Sequence, residues 1–448
     1  MTTYNINYYN ILKLTLLFLF IGVFLKARSK PPAVLIELVL ILSLLGISLI
    51  YLFEKFQINS LHTIVLYIFF LYLIGHFLVA TIMRPDELNL PFYKVLQYNL
   101  LEFRLSSLGY FLPLIFIPLS KFNTEKFEKY LIVLIKFSVI YTLLEQFISL
   151  IGFRYIFEIA YSNTSVVTSN LVGVKTLGLY RIWGLMGAPQ LLGVFHVITL
   201  FYFMEKGMKG WSIASIFAVI ASTSKTAYVI LILLGFLYLL YKRKYFIFIL
   251  LSGFGIFAII ASFATYFYLI RDGIYTDEYP KFIQFVGSVH GYYLLLDQVR
   301  YIKENEDGTG MQDFFSQGGI LTTLATYYHN NPLDIYLGKG MSYSIFKYSG
   351  GSSTDPLFAY KYLTSEYYIL TYFNQYGILG LALFLYLFLV YPVYKILKGC
   401  EIYYFIPVAF FLATLHYPPQ IPKLMMVLVG YAMWKIYIGY IREERDAK

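Results

Sequence analysis

The chain has 448 residues, 59% of them hydrophobic and only 13% charged, where a soluble domain carries about a quarter charged residues, so the composition excludes an ordinary soluble enzyme and marks a polytopic membrane protein. The net charge of +10 does not signal nucleic acid, because the cations cluster in short loops between apolar runs, where they act as topology signals. A single cysteine, Cys400, excludes a disulfide framework and a multi-cysteine metal site.

Residues 1–10 carry no cation and no small-residue cleavage site follows before Lys26, so the first apolar run reads as a span rather than a cleaved signal peptide. Runs able to cross about 30 Å of hydrocarbon fall near 11–26, 33–53, 61–82, 103–120, 130–152, 186–204, 211–223, 226–241, 245–269, 373–396, 402–416 and 424–441. They predict an all-α fold of about 12 transmembrane helices. A single helix over 211–241 would be about 46 Å long, too long for one crossing, and "STSKTA" (222–227) divides it in two. The stretch "YRIWGLMGAPQLLG" (180–193) sets Arg181 before an apolar run that Gly184, Gly187 and Pro189 interrupt at once.

Lysine and arginine in short loops orient the spans. Lys121, Lys126 and Lys129, Lys206 and Lys209, Lys242 to Lys244, Lys395 and Lys398, and Arg442 and Arg445 can all be cytoplasmic together, with both termini inside. Lys26, Arg28 and Lys30 then fall outside, against the rule. Two polar segments remain on the outer side, 153–182 and 270–365. The chain thus divides into nine spans over 1–269, a large outer loop over 270–365 and three spans over 366–448. Within the loop, 286–304 and 318–329 read as amphipathic helices. Pro332, Gly338 and Gly340 end the second in the turn-rich "HNNPLDIYLGKGMSYS".

There is no GxxxxGK[ST] loop, no HExxH and no Asp-x-Asp pair, so neither a cofactor nor a metal is expected. Group transfer then needs a donor already activated, and a lipid pyrophosphate in the bilayer is the natural one. Cations would stabilise the departing pyrophosphate and a base would deprotonate the acceptor hydroxyl. Arg181 heads the cations, since a guanidinium grips phosphate in bidentate fashion; the bland alternative is an arginine snorkelling to headgroups. Lys225 follows, against a helix-end lysine in a tight outer turn. Arg300 and Arg271 in the large loop are further candidates, against ordinary solvated arginines. As base, Glu366 stands where the loop meets the membrane, or is simply a first-turn acid favoured by the helix dipole. His329, before "NNP", is the second candidate base, or a structural residue at a helix end. His76, His196, Lys136 and Glu145 lie within spans and read as packed polar contacts.

Four features in order carry a resemblance over roughly 175–385: the Arg181 segment with its Gly/Pro-broken helix, the "STSKTA" break, the outer loop with "HNNPLDIYLGKG", and the returning "SEYYILTYFNQYGILGLALF". On these the sequence resembles the O-antigen polymerase and ligase superfamily of bacterial membrane glycosyltransferases. The resemblance implies a metal-independent, GT-C-like transferase in the inner membrane, its active site facing the periplasm. Donor and acceptor would be undecaprenyl-pyrophosphate-linked glycans drawn from the membrane lipid, and a chain-length regulator would be a partner. By the same resemblance, Arg181 and a large-loop arginine hold pyrophosphate or glycan. Members often show Ser-Arg where this chain has Ser224 and Lys225. Ligases typically carry a histidine where this chain has Glu366, which favours a polymerase over a ligase. A flippase of lipid-linked sugars is the third reading, and the absence of two similar halves argues against it.

Overall fold

The computed structural model describes residues 60–83, 91–93, 96, 124–157, 175–176, 178–269, 332–338, 368–415 and 423–439. The spans expected at 11–26, 33–53 and 103–120, the loop helices at 286–304 and 318–329, and Arg271, Arg300, His329 and Glu366 lie outside the described residues. Of the described residues, 88% are helical.

Each expected run on described residues is a helix. In chain order these are α1 (Leu61–Met83), α2 (Thr124–Ile148), α3 (Pro189–Glu205), α4 (Lys209–Ser222), α5 (Lys225–Tyr241) and α6 (Tyr245–Leu269). After them come α7 (Pro332–Leu337), α8 (Tyr368–Leu385), α9 (Tyr391–Leu397), α10 (Phe405–Thr414) and α11 (Lys423–Trp434). Wider π-helical turns extend α2 over Ser149–Phe153, join α8 to α9 over Tyr386–Val390 and extend α11 over Lys435–Gly439. Among the described residues two helical runs, Phe127–Phe153 and Gln375–Leu397, are long and apolar enough to cross a membrane.

α3 is the centre of the bundle. Nearly every side chain from Pro189 to Phe203 is buried, on all faces, as expected of a helix with apolar residues all round. α4, α5, α10 and α11 pack around it, with Phe201 stacked on Phe405 of α10 at 4.7 Å between ring centroids. α8 packs against α1 and continues through its π turn onto α10. Small residues allow the closest approach: Gly193 of α3 lies against Ser222, Ser224 and Ala227, and a β-carbon there would collide with all three.

The basic loops gather at one end. Glu128, at the start of α2, pairs with Lys206 just after α3 at 2.5 Å and accepts a hydrogen bond from the Tyr202 hydroxyl at 3.1 Å. Glu205 accepts the backbone N–H of Ile402 at 2.7 Å, and Tyr241, at the end of α5, meets Phe405. Lys242, Lys395 and Lys398 lie over the rings of Tyr241, Tyr391 and Tyr394.

Three local expectations need correction. The polar stretch before Arg181 contains a hairpin of two-residue strands, β1 (Lys175–Thr176) and β2 (Leu179–Tyr180), paired antiparallel. The "NPLDIYL" turn is instead helix α7: Pro332 stands at its first position, where its fixed φ and missing N–H cost nothing. The run at 373–396 is not a continuous α-helix, because Gly377 takes φ 64°, ψ −171° and breaks α8.

Candidate functional site

The three breakers after Arg181 have separate jobs. Gly184 has φ +52° and no room for a β-carbon, which would strike the side chain of Leu192. It opens a single 3-10 turn, Gly184–Met186. Gly187, at φ 78°, ends that turn in the left-handed region. Pro189 then begins α3. The chain from Lys175 to Ala188 is therefore largely non-helical, and Ile182, Trp183, Leu185 and Met186 are buried. At membrane depth such backbone needs partners inside the protein.

The end of α2 supplies them. Glu145, only 1% exposed, accepts the backbone N–H of Trp183 at 3.1 Å and of Gly184 at 2.9 Å, one on each carboxylate oxygen. The Gln146 side chain accepts the Tyr180 N–H at 3.1 Å and donates to the Tyr180 carbonyl at 3.3 Å, pairing like a strand neighbour. The π turn Ser149–Phe153, with Gly152 at φ 99°, then leads to Arg154, which is buried and donates from Nη2 to the Arg181 carbonyl at 3.2 Å. Its guanidinium lies 4.6 Å from the Tyr180 ring centroid and 5.0 Å from that of Trp183. Residues 180–184 are thus held at Tyr180, Arg181, Trp183 and Gly184 by the last turn of α2 and by Arg154 beyond its π turn.

A second turn lies at the same end. Thr223, at φ +54°, breaks the chain between α4 and α5. Ser222 Oγ accepts the Ser224 N–H, and Ser224 caps α5 by accepting from the Ala227 N–H at 3.2 Å. Lys225 is the first residue of α5 and is exposed. Gly193 presses this turn against the first turns of α3, and β2 touches α4. Arg154, Arg181 and Lys225 therefore share one end of the bundle. The basic loops lie at the other end of α3, about 24 Å away at 1.5 Å per residue. Arg181 is partly exposed there, so the rim offers cations to an anionic ligand.

The break in α8 belongs to the same end, about 30 Å along the helix from Leu397 at 1.5 Å per residue. α7 docks on it, and Tyr72 of α1 donates its hydroxyl to the Tyr376 carbonyl at 2.7 Å and lies 3.3 Å from the Leu337 carbonyl.

Below the rim, Ser138, Thr142, Glu145 and Ser149 form a buried polar stripe on α2 at helical spacing. Thr142 donates to the Ser138 carbonyl at 2.9 Å, so His196 of α3 donates from Nε2 to the Thr142 hydroxyl at 2.8 Å. Lys136 lies over the Trp211 ring at 5.0 Å, and His76 contacts the rings of Tyr72 and Tyr376. His76, His196, Lys136 and Glu145, the four polar residues expected within spans, thus all have packed contacts. Among the described residues no group of three or more histidine, cysteine or acidic side chains could hold a metal ion.

Arg154 escaped the sequence reading, as did the anchoring role of Gln146. The available signal was modest: a Glu-Gln pair six to seven residues, about two helical turns, before Gly152, with an arginine two residues beyond the glycine. No family model, curated protein or solved structure matches the chain.

Proposed function

We propose that the protein is an O-antigen polymerase: a metal-independent membrane glycosyltransferase with about 12 spans and a GT-C-like fold. It joins undecaprenyl-pyrophosphate-linked repeat units at the periplasmic face of the bacterial inner membrane. One observation carries the reading: Arg181 and Lys225 lie on tight turns at the bundle end opposite the lysine-rich loops. By the positive-inside rule those loops face the cytoplasm, so the Arg181 rim faces out.

In the proposed reaction a terminal sugar hydroxyl of the incoming repeat unit attacks the anomeric carbon of the growing chain. The bond from that carbon to pyrophosphate breaks, and its electron pair leaves with undecaprenyl pyrophosphate. Arg181, with Lys225 or Arg300, offsets the charge that develops on the pyrophosphate, and Arg271 of the large loop is a further candidate. Glu366 or His329 takes the hydroxyl proton. The product is one repeat longer on the newer lipid, and a chain-length regulator is the expected partner.

The test is a lipopolysaccharide gel from the native host with the gene deleted, then restored as the parent or as Arg181→Ala. A deletion band of core plus one repeat, with a ladder restored by the parent and not by the expressed variant, supports the polymerase. Bare core without any repeat points to a ligase or flippase. An unchanged ladder on deletion sinks the assignment.

A further inference from the structure

Tyr180, Trp183 and Gly184 are held through their own backbone N–H groups by Gln146 and Glu145. Arg181 is held differently, by a charged donor: the guanidinium of Arg154 donates to its carbonyl. That guanidinium also lies over the aromatic rings on either side in sequence, Tyr180 and Trp183. Arg154 is only 7% exposed, and a buried cation needs this kind of fixed surrounding. It reaches the turn because the π-helical end of α2 and the left-handed Gly152 bring the chain back towards it.

We propose that Arg154 is the positioning residue of the anion-binding rim. Its fork fixes the carbonyl of Arg181, and with it the direction in which the Arg181 side chain leaves the turn. Its charge adds to the potential behind that side chain. This role rests on the reading of Arg181 as a pyrophosphate ligand. A lysine does not fill it, because an ammonium is a point charge without the planar face that lies over two rings and the fork that donates past them.

The experiment is calorimetric titration of the purified full-length protein in detergent with inorganic pyrophosphate. The parent binds, and Arg181→Ala abolishes the signal. Arg154→Ala and Arg154→Lys each weaken binding by about tenfold or more, the size of one lost charge-assisted hydrogen bond with its ring contacts. Low concentrations of guanidinium restore affinity to Arg154→Ala, whereas sodium at the same ionic strength does not. Rescue of that kind distinguishes a positioning role from loss of packing. Should Arg154→Ala fail to fold, Arg154→Lys, which keeps the charge and most of the volume, decides alone. Parent-like binding by Arg154→Lys overturns the proposal, and so does a folded Arg154→Ala that guanidinium leaves weak. No binding by the parent, or binding that Arg181→Ala leaves intact, overturns the pyrophosphate reading and the Arg154 role with it.

Discussion

Gly338 and Gly377 lie backbone to backbone, so close that a β-carbon on either would run into the main chain of the other. Both have positive φ, 73° and 64°. Gly377 combines this with ψ −171°, a region open essentially to glycine alone. Through this contact the end of α7 docks on the break in α8, and the "LGKG" and "QYGILG" segments become one structural feature.

Alanine at either glycine should therefore be severe. Gly377→Ala is expected to cost at least about 3 kcal/mol, from backbone strain together with the collision. Gly338→Ala should approach the same value. Gly75→Ala is the control, since nothing lies within 4 Å of a β-carbon there. Thermal unfolding in detergent checks all three, and a Gly377→Ala protein as stable as Gly75→Ala would contradict the described break.

The Glu145 carboxylate offers an acceptor to each of two N–H groups, from Trp183 and Gly184. An amide keeps only one acceptor and turns its NH2 towards the second N–H. Glu145→Gln should lower stability by about 1–3 kcal/mol, the cost of a buried donor left without a partner. The loss is expected to appear as earlier hydrogen exchange at residues 180–186, with exchange in the α10 core unchanged.

Gly193 tests the contact between α3 and the turn at 222–225. An added methyl would meet Ser222 Oγ, the Ser224 β-carbon and the Ala227 β-carbon. Gly193→Ala should destabilise by about 1–3 kcal/mol through overpacking. Ala227→Gly alone removes one helix-favouring methyl and should lower stability, yet in the Gly193→Ala background it should restore part of the loss. A double-mutant cycle measures that coupling.

At the basic end the two partners of one ion pair should differ. Lys206 is partly exposed, so Lys206→Ala should change stability by no more than about 1 kcal/mol. Glu128 also accepts the hydroxyl of the fully buried Tyr202. Glu128→Ala should therefore cost about 1–3 kcal/mol more. Equal losses in thermal unfolding would mean that the tyrosine bond contributes little.

Much of the helical plan was legible because hydropathy and helix breakers act locally. Every described apolar run is a helix within a few residues of its expected bounds, and "STSKTA" divides α4 from α5 because a residue in the left-handed region and a serine cap stop one helix and start the next. Lysines at loop positions likewise gather at one end, as antiparallel neighbours of similar length require. Pro332 reads in sequence as a stop because proline serves equally well at the first position of a helix, and only the chain that follows distinguishes the two. Glu145 reads in sequence as a packed polar group, but its partners at 183 and 184 are not visible there.

The sequence by itself determined the strongly apolar, mostly helical character of the described chain, the bounds of its apolar helices and the breaks at Arg181 and Lys225, all consequences of local composition and backbone restriction. Tertiary structure alone decided that Arg154 sits behind Arg181, that Glu145 and Gln146 hold the turn, and that Gly377 faces Gly338 across 39 residues of chain. Those relationships join backbone and side-chain groups far apart in sequence, and no hydrophobic periodicity records which of two compatible groups will meet once the helices have packed.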